Sequence, residues 1–335
     1  MTRVGINGFG RIGRLAARAL RNHRSLELAH VNDLNADLAT AAHLFEFDTV
    51  HGRYPGVVST SGEAMSIDEN KVTFSRASKP AEIDWSAAGV DIVIEASGKF
   101  KTVDTLQPHL DNGAASVIVA APIKDDAVLN VVIGCNDDLY SPTTYPIATA
   151  ASCTTNSIAP VVKTLHEAIG IERGTLTTIH DVTNTQVIVD APHKDLRRAR
   201  SALNSLIPTT TGSATAVTMI VPELAGRLDG VAVRVPMLNA SLTDLSVSME
   251  RKTSIDEVND ILRTAAEGPL AGVLGFETKP LVSADYVNDP RSGIVDAEST
   301  MVVDGRFVKV LVWYDNEFGY AHRLVELVQQ AANHT

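Results

Sequence analysis

The cysteine at position 153 lies in a segment whose residue types could support covalent catalysis. Residues Ala151–Asn156 read ASCTTN, and His180 follows 27 positions after Cys153. Small hydroxyl residues ahead of the apolar run Ile158–Ile169 place the cysteine at a helix N-terminus, where unpaired N–H groups and the helix dipole favour a thiolate. A histidine beside it would complete a nucleophile–base pair. The competing interpretation is a small buried apolar residue, the commoner role of a lone cysteine.

A glycine-rich segment near the N-terminus predicts a dinucleotide-binding turn. Residues 3–6 predict a strand, Gly8–Gly13 read GFGRIG, and a helical apolar face follows. In this context the first glycine allows a tight turn, the second admits a pyrophosphate and the third lets the helix pack closely. A second predicted strand, Leu26–Asn32, leads to Asp33, an acid that would bind the adenosine ribose hydroxyls and repel a 2′-phosphate. The pattern therefore predicts NAD rather than NADP.

Further β/α units continue through the first half of the chain. The predicted elements are an antiparallel excursion within His51–Lys71, strands at Val90–Ala96, Ser116–Ala121 and Asn130–Gly134, and a helix at Thr102–Asn112. Strands that alternate with helices predict a largely parallel sheet. Ser97 and Gly98 end one of these strands, where they would turn the chain near the cofactor.

The second half predicts an α+β domain with an open mixed sheet. The predicted strands are Gly174–His180, Gly230–Val235, Leu242–Glu250 and a hairpin of Met301–Val303 with Phe307–Tyr314; the predicted helices are Ala214–Leu224, Ile255–Ala266 and His322–Ala332. Pro160 predicts either a kink in the helix after Cys153 or its effective start. Asp181–Pro208 has little periodicity, and loops of that length are usually functional. Thr209–Ser213 predicts an anion site at a helix N-terminus, and Arg234, among apolar neighbours, needs an anionic partner.

Length and composition indicate a two-domain globular protein. The chain has 335 residues, of which 44% are hydrophobic and 21% charged, and its net charge of −11 argues against nucleic-acid binding as its main role. No apolar run approaches the ~20 residues of a membrane span, and no secretory signal is visible. Two cysteines offer no disulfide framework, which favours a reducing cytoplasm, and no metal site is predicted. The predicted boundaries are 1–151 for a Rossmann NAD-binding domain, 152–315 for a catalytic domain and 316–335 for a C-terminal helix returning to the first domain.

Four motifs together resemble the glyceraldehyde-3-phosphate dehydrogenase family. They are Val4–Arg14, Ser152–Asn156, His193–Arg200 and Trp313–Glu317. They occur in order along essentially the whole chain, and the cysteine motif is highly specific to that family. The resemblance implies a homotetramer of two-domain subunits that uses NAD and converts a phosphorylated aldehyde and inorganic phosphate to an acyl phosphate.

The resemblance also implies roles for individual residues. Cys153 would be the nucleophile and His180 its base. The implied cofactor-binding residues are Asn7, Gly8, Gly10, Arg11, Ile12, Gly13, Asp33, Ser97, Gly98, Pro192 and Asn316. The attacking phosphate would be held by Ser152, Thr154, Arg198, Thr211 and Gly212, and the substrate's own phosphate by Thr183 and Arg234. The loop that contains Pro192 would line a neighbouring subunit's cofactor site.

Three positions depart from the family pattern. Asp181 stands where alanine usually follows the histidine, Ser157 replaces a second cysteine, and Ala150 replaces an asparagine. Asp181 either faces the site, where it would raise the pKa of His180 or alter anion affinity, or points away into a hydrogen-bond network. A family branch with a similar His-Asp-x-Thr-Asn-Thr-Gln stretch is associated with arsenate handling; it passes the acyl group to arsenate, giving 1-arseno-3-phosphoglycerate, which a partner exports.

Two other functions remain as alternatives. An erythrose-4-phosphate dehydrogenase would use water as the nucleophile, and the retained Arg198 and Thr211 argue against it. An NAD-sensing binding module would carry vestigial catalytic residues, and the intact set Cys153, His180, Arg234 and Asn316 argues against that.

Overall fold

The computed structural model describes residues 1–334, and the chain divides into two compact units. One comprises Met1–Ser152 with the C-terminal residues from Ala321 onward, and the other comprises Cys153–Tyr320. The predicted class, α/β with a largely parallel first sheet and a mixed second sheet, is confirmed. Within residues 1–334, no helix combines the length and the apolar character that crossing a membrane requires.

The first unit is built around a sheet whose strands are mostly parallel. Its elements are β1 (Thr2–Asn7), α1 (Arg11–Leu20), β2 (Leu26–Asn32), α2 (Leu38–Glu46), β3 (Val58–Ser61), β4 (Ala64–Ile67), β5 (Asn70–Ser75), β6 (Ile92–Glu95), α3 (Val103–Asp111), β7 (Ser116–Val119), β8 (Leu129–Asn130) and β9 (Ile147–Thr149). The strand order is β3-β4-β5-β2-β1-β6-β7-β9-β8. β3, β4 and β5 pair antiparallel, as predicted for the excursion, and the strands from β5 to β8 pair parallel. Every residue of β6 and β7 is buried, as in a parallel sheet covered on both faces.

A buried polar network fixes the carboxyl ends of the central strands. The Asn7 side-chain amide donates to Glu95 Oε2 at 2.5 Å, and the Asn32 amide donates to Asn7 Oδ1 at 2.8 Å. Glu95 Oε1 accepts from the backbone N–H of Ser97 at 2.8 Å. Because a buried carboxylate is stable only when it is hydrogen-bonded, these contacts hold the turns after β1 and β6 in place.

The second unit is a mixed sheet with helices packed against it. Its elements are α4 (Cys153–Ile169), β10 (Ile171–His180), β11 (Ile207–Thr210), α5 (Ser213–Ile220), β12 (Leu228–Arg234), β13 (Ser241–Met249), α6 (Ile255–Glu267), β14 (Leu274–Glu277), β15 (Gly293–Val303), β16 (Phe307–Tyr314) and the start of α7 (Phe318–Ala332). The strand order is β11-β12-β10-β13-β16-β15-β14. β10 pairs parallel with β12 and antiparallel with β13, whose residues alternate between buried and half-buried.

Three predicted elements differ from the structure. The strand predicted over Asn130–Gly134 ends at Asn130, because the side chain of Asn136 binds the N–H of Val132 and turns the chain. The helix predicted over Ala214–Leu224 ends at Ile220, and a short 3-10 turn follows. Pro160 neither starts nor ends α4, which runs through it to Ile169 with the proline buried.

Candidate active site

Cys153 is the first residue of α4, as the sequence predicted. Its side chain is partly exposed, and the first helical turn behind it is buried. Ala151, two residues earlier, has a φ of 51°, in the left-handed region that costs a residue with a Cβ about 1–2 kcal/mol. Such strain clusters at functional sites, where the surrounding structure holds it. The strained turn delivers the thiol to a helix N-terminus.

His180 lies beside that thiol at the end of β10. Its Nε2 is 3.6 Å from Cys153 Sγ, and the ring is only 4% exposed. The parallel register of β10 with β12 aligns His180 with Arg234. The ring of Tyr314 meets the imidazole edge to face, with centroids 6.1 Å apart. A nucleophile and a base therefore stand within contact distance in one unit.

Asp181 is fully buried, and its carboxylate faces the imidazole. Asp181 Oδ1 lies 2.6 Å from His180 Nδ1, and its Oδ2 accepts from the Asn316 side-chain amide at 3.0 Å. The backbone N–H of Asp181 donates to Ser241 Oγ at 3.2 Å, and that hydroxyl also contacts Asn316 Oδ1 at 3.0 Å. Of the two interpretations left open by the sequence, the structure has the first: the acid faces the ring and does not point away, although it is also hydrogen-bonded to Asn316.

Two groups compete for His180 Nδ1. Arg234 Nη1 is 2.7 Å from this nitrogen, and also 3.0 Å from the backbone carbonyl of Asp181. A guanidinium can only donate and an ionised carboxylate can only accept, so when Nδ1 carries a proton it bonds to Asp181, and Arg234 then donates to the carbonyl. The ring nitrogen Nε2 is left facing the sulfur.

These contacts shift the proton affinity of the histidine. Burial lowers the pKa of His180, but the hydrogen bonds to Asp181 and Cys153 outweigh burial and raise the pKa to about 9. The imidazolium therefore persists at neutral pH, where it can serve as counter-ion to a Cys153 thiolate. Its contribution to folding stability is complete below the unfolded value of about 6.5 and is lost as the pH rises through about 9.

Tyr314 and Ser241 are site residues to which the sequence analysis gave no role. The Tyr314 hydroxyl lies 2.9 Å from Thr154 Oγ1 and 2.7 Å from Thr178 Oγ1, so it ties α4 to β10. Burial raises the pKa of Tyr314, which keeps the phenol protonated. Tyr314 lies in the Trp313–Glu317 motif, so the sequence could have indicated that it is a site residue. No pattern in the sequence around Ser241 indicates such a role.

Two groups of predicted anion-binding residues are found in the second unit. Thr183 Oγ1, predicted to bind the substrate's phosphate, is 2.9 Å from Thr185 Oγ1. The Thr185 hydroxyl also accepts from Nη1 of Arg198, predicted to bind the attacking phosphate, at 2.8 Å. Thr185 therefore connects one residue of each predicted phosphate site. Thr211 Oγ1 accepts from the backbone N–H of Ser213 at the start of α5. A Cβ on Gly212 would meet no atom within 4 Å, so the backbone is open there. By contrast, the Thr154 hydroxyl is buried against Tyr314 and does not line an open surface.

The glycine-rich turn of the first unit has the geometry that a pyrophosphate requires. Gly8 has a φ of 95°, and a Cβ on Gly13 would lie 2.1 Å from the Gly8 carbonyl oxygen, so both positions exclude a side chain. A Cβ on Gly10, the N-cap of α1, would meet no atom within 4 Å. The open face of the turn thus lies at a helix N-terminus, where an anion binds well. Asp33 Oδ2 accepts from the Phe9 N–H at 2.7 Å and fixes the turn.

The remaining predicted cofactor residues fall into three groups. The side chains of Asn7 and Ser97 belong to the buried Glu95 network, and Ile12 is half-buried on α1. The Arg11 guanidinium binds both carboxylate oxygens of Asp48, which leaves its backbone as the group that could meet a ligand. Gly98 in the first unit and Pro192 in the second are on the surface, and Asn316 is buried beside Asp181.

Comparison with known proteins identifies relatives over nearly the full chain. Residues 2–103 match the profile of the glyceraldehyde 3-phosphate dehydrogenase NAD-binding domain, and residues 152–316 match that of its C-terminal domain. The glyceraldehyde-3-phosphate dehydrogenase 3 of a Nostoc species is 56% identical, with 98% of both chains covered. The glyceraldehyde-3-phosphate dehydrogenase of Geobacillus stearothermophilus is 47% identical over 99% of this chain and 98% of its own. That of Thermotoga maritima is 48% identical, again with 98% of both chains covered.

The glycine-rich turn yields a paired prediction. Gly13→Ala forces a methyl group against the Gly8 carbonyl and should cost about 1–3 kcal/mol of stability, because neither backbone segment can move freely. Gly10→Ala places its methyl in open space at the N-cap, so it should cost less stability than Gly13→Ala while weakening NAD binding about tenfold or more. Calorimetric melting and NAD titration of both variants separate the two effects. Wild-type NAD affinity in Gly10→Ala would show that the pyrophosphate does not approach this turn.

Proposed function

This chain belongs to the glyceraldehyde-3-phosphate dehydrogenase family, and we infer from that membership that it oxidises and phosphorylates glyceraldehyde 3-phosphate with NAD as the hydride acceptor. The resemblance read from the sequence is thereby confirmed, as are the NAD cofactor and the enzyme class. The structural observation that best supports this function is the 3.6 Å contact between Cys153 Sγ and His180 Nε2.

We propose that NAD is held mainly by the first unit. The open face at Gly10 and the N-terminus of α1 would receive the pyrophosphate, and Asp33 would bind the ribose hydroxyls. Ser97 and Gly98, in the turn after β6, would approach the nicotinamide half of the cofactor. The family resemblance adds Asn316 for the carboxamide and Pro192 for exclusion of a 2′-phosphate. When bound, NAD supplies the acceptor for the hydride.

The first half of the reaction is assigned to Cys153 and His180. The Cys153 thiolate attacks the aldehyde carbon, and the Cys153 backbone N–H and the His180 Nε2–H meet the developing oxyanion. His180 gives that oxygen a proton and, once neutral, takes it back as the hydride leaves the same carbon. A thioester on Cys153 remains, and the proton is again on the ring.

The second half requires an anion as nucleophile and a separate place for the substrate's own phosphate. We assign the attacking anion to Ser152, Thr154, Arg198, Thr211 and Gly212, and the substrate phosphate to Thr183 and Arg234. The open backbone at Gly212 and the start of α5 support the first assignment. Because the Thr154 hydroxyl is buried and hydrogen-bonded to Tyr314, we assign anion binding at Thr154 to its backbone and not to its side chain. Attack on the thioester carbon releases the acyl phosphate and restores the thiolate.

Inorganic phosphate is the acceptor we propose, and arsenate is the second candidate. Both are tetrahedral oxyanions that the same hydroxyl, backbone and guanidinium donors can bind, so the site supports either. What favours arsenate is the resemblance of the His-Asp-x-Thr-Asn-Thr-Gln stretch, residues 180–186, to the arsenate-handling branch of the family. In that case the product would be 1-arseno-3-phosphoglycerate. Erythrose 4-phosphate oxidation with water gains no support, because the donors for an attacking anion are retained.

We propose that the active form is a cytoplasmic homotetramer. The loop after β10 exposes several large apolar side chains, more than a lone monomer surface commonly gathers in one segment; they are Ile188, Val189, Leu196, Leu203 and Leu206. Contact with a second copy would cover them and place the Pro192 loop against a neighbouring subunit. A catalytic thiolate depends on reducing conditions, which supports the cytoplasmic setting.

The central test measures NADH formation by the purified protein. With glyceraldehyde 3-phosphate and NAD, the rate should depend on added oxyanion, because the thioester turns over slowly without a nucleophile. Phosphate and arsenate are titrated separately, and the ratio of their kcat/KM values identifies the preferred acceptor. An absence of NADH under all conditions would favour the NAD-binding module instead.

The nucleophile assignment is tested with Cys153→Ser. An alcohol of ordinary acidity cannot form the anion that a thiol forms here, so kcat should fall by a factor of about 10³ or more while NAD affinity stays unchanged. Cys135→Ser, at a buried position outside the site, is the matched control and should keep its activity. Substantial NADH production by Cys153→Ser would refute the covalent route.

A further inference from the structure

The buried carboxylate of Asp181 is not required by a thiol–imidazole pair. Such a pair needs only an acceptor for the second ring nitrogen, and the backbone carbonyl of Asp181 already lies 3.0 Å from Nδ1. Burying an unpaired carboxylate costs several kcal/mol, so an acid at this place must be compensated by its neighbours. Here the carboxylate is fully buried and its nearest charged neighbour is the imidazole, at 2.6 Å.

The orientation of Asp181 is fixed from three directions. His180 Nδ1 contacts Oδ1, the Asn316 amide donates to Oδ2, and the Ser241 hydroxyl accepts from the backbone N–H. Ser241 is 60 residues away in sequence and Asn316 is 135 residues away, so tertiary structure, not the strand end alone, sets the geometry. A carboxylate held in this way can orient a ring.

We propose that Asp181 is a positioning residue that completes a Cys153–His180–Asp181 triad. It holds the Nδ1–H of the imidazole, directs Nε2 at the sulfur and gives the imidazolium a fixed counter-charge. The inference rests on the proposed roles of Cys153 and His180, and it goes beyond them because it gives the buried carboxylate of Asp181 a part in the reaction. The proton stays on Nδ1 throughout, and Asp181 itself is not protonated.

The charged groups around His180 explain why a negative charge is needed at residue 181. Cys153 from α4 and Arg234 from β12 approach the ring, Asp181 extends from the end of β10, and Tyr314 from β16 stays neutral. With thiolate, imidazolium, carboxylate and guanidinium together, the buried cluster carries balanced charge. Without the carboxylate it would be net positive, and the nearby guanidinium would lower the pKa of the ring.

Two substitutions separate the charge of Asp181 from its shape. Asp181→Asn keeps the size and an acceptor oxygen for Nδ1–H but removes the negative charge, and Asp181→Ala removes both. The matched control is Asp244→Asn on β13, in the same unit, which removes a carboxylate from a half-exposed ion pair with Lys309 on β16. Thermal unfolding and NAD affinity establish that each variant is folded.

The first readout is the pH profile of kcat/KM for the aldehyde, whose alkaline limb reports loss of the imidazolium proton in the free enzyme. The limb should lie near pH 9 in the wild type and move down by about one pH unit or more in both Asp181 variants. At pH 8.5 that shift lowers kcat/KM about threefold, and Asp181→Ala should lose further rate at every pH. Asp244→Asn should follow the wild type.

The second readout does not require turnover. The rate of Cys153 alkylation by iodoacetamide, measured by peptide mass mapping, should rise when the imidazolium deprotonates, because the thiolate then loses its ion-pair partner. That step should also move to lower pH in both Asp181 variants. If the alkaline rise in the alkylation rate occurs at the same pH in both Asp181 variants as in the wild type, the proposed triad is wrong. If the wild type forms no NADH, the proposed function is refuted but the triad is not, because the alkylation rates still report on the contacts among Cys153, His180 and Asp181.

Discussion

The imidazole of His180 is nearly buried and is held between a sulfur on one side and a carboxylate on the other. Nε2 meets Cys153 at 3.6 Å and Nδ1 meets Asp181 at 2.6 Å, with the ring 4% exposed. In such surroundings an ionised group is stable only beside its partner, so the protonation state of each member depends on the others. The orientation of the catalytic unit follows from this coupling.

The second sheet determines that arrangement through its strand register. β10 pairs with β12 so that His180 is opposite Arg234, and β13 pairs with β16 so that Ser241 is opposite Tyr314. A slip of one residue would turn each of these side chains to the other face of the sheet. The Tyr314 hydroxyl then connects β10 to α4 through Thr178 and Thr154, which fixes the helix that begins at Cys153.

The sequence predicted those parts of the site that depend on local chemistry. Cys153 at the start of α4 and the glycine turn before α1 follow from hydroxyl residues, glycines and apolar spacing within a few positions. The orientation of Asp181 could not be predicted, because its partners Ser241 and Asn316 lie on distant segments. The end of β8 was missed for a similar reason: the side chain of Asn136, six residues on, competes for the backbone.

The carboxylate that supports the base also acts on the anion chemistry of the same unit. Asp181 increases the proton affinity of His180, but it adds a negative charge within reach of Arg234, the guanidinium assigned to the substrate phosphate. In a buried site that charge weakens attraction for an incoming anion as it strengthens the imidazolium. The identity of residue 181 therefore sets a compromise between a persistent imidazolium and tight binding of the substrate phosphate that we assign to Arg234.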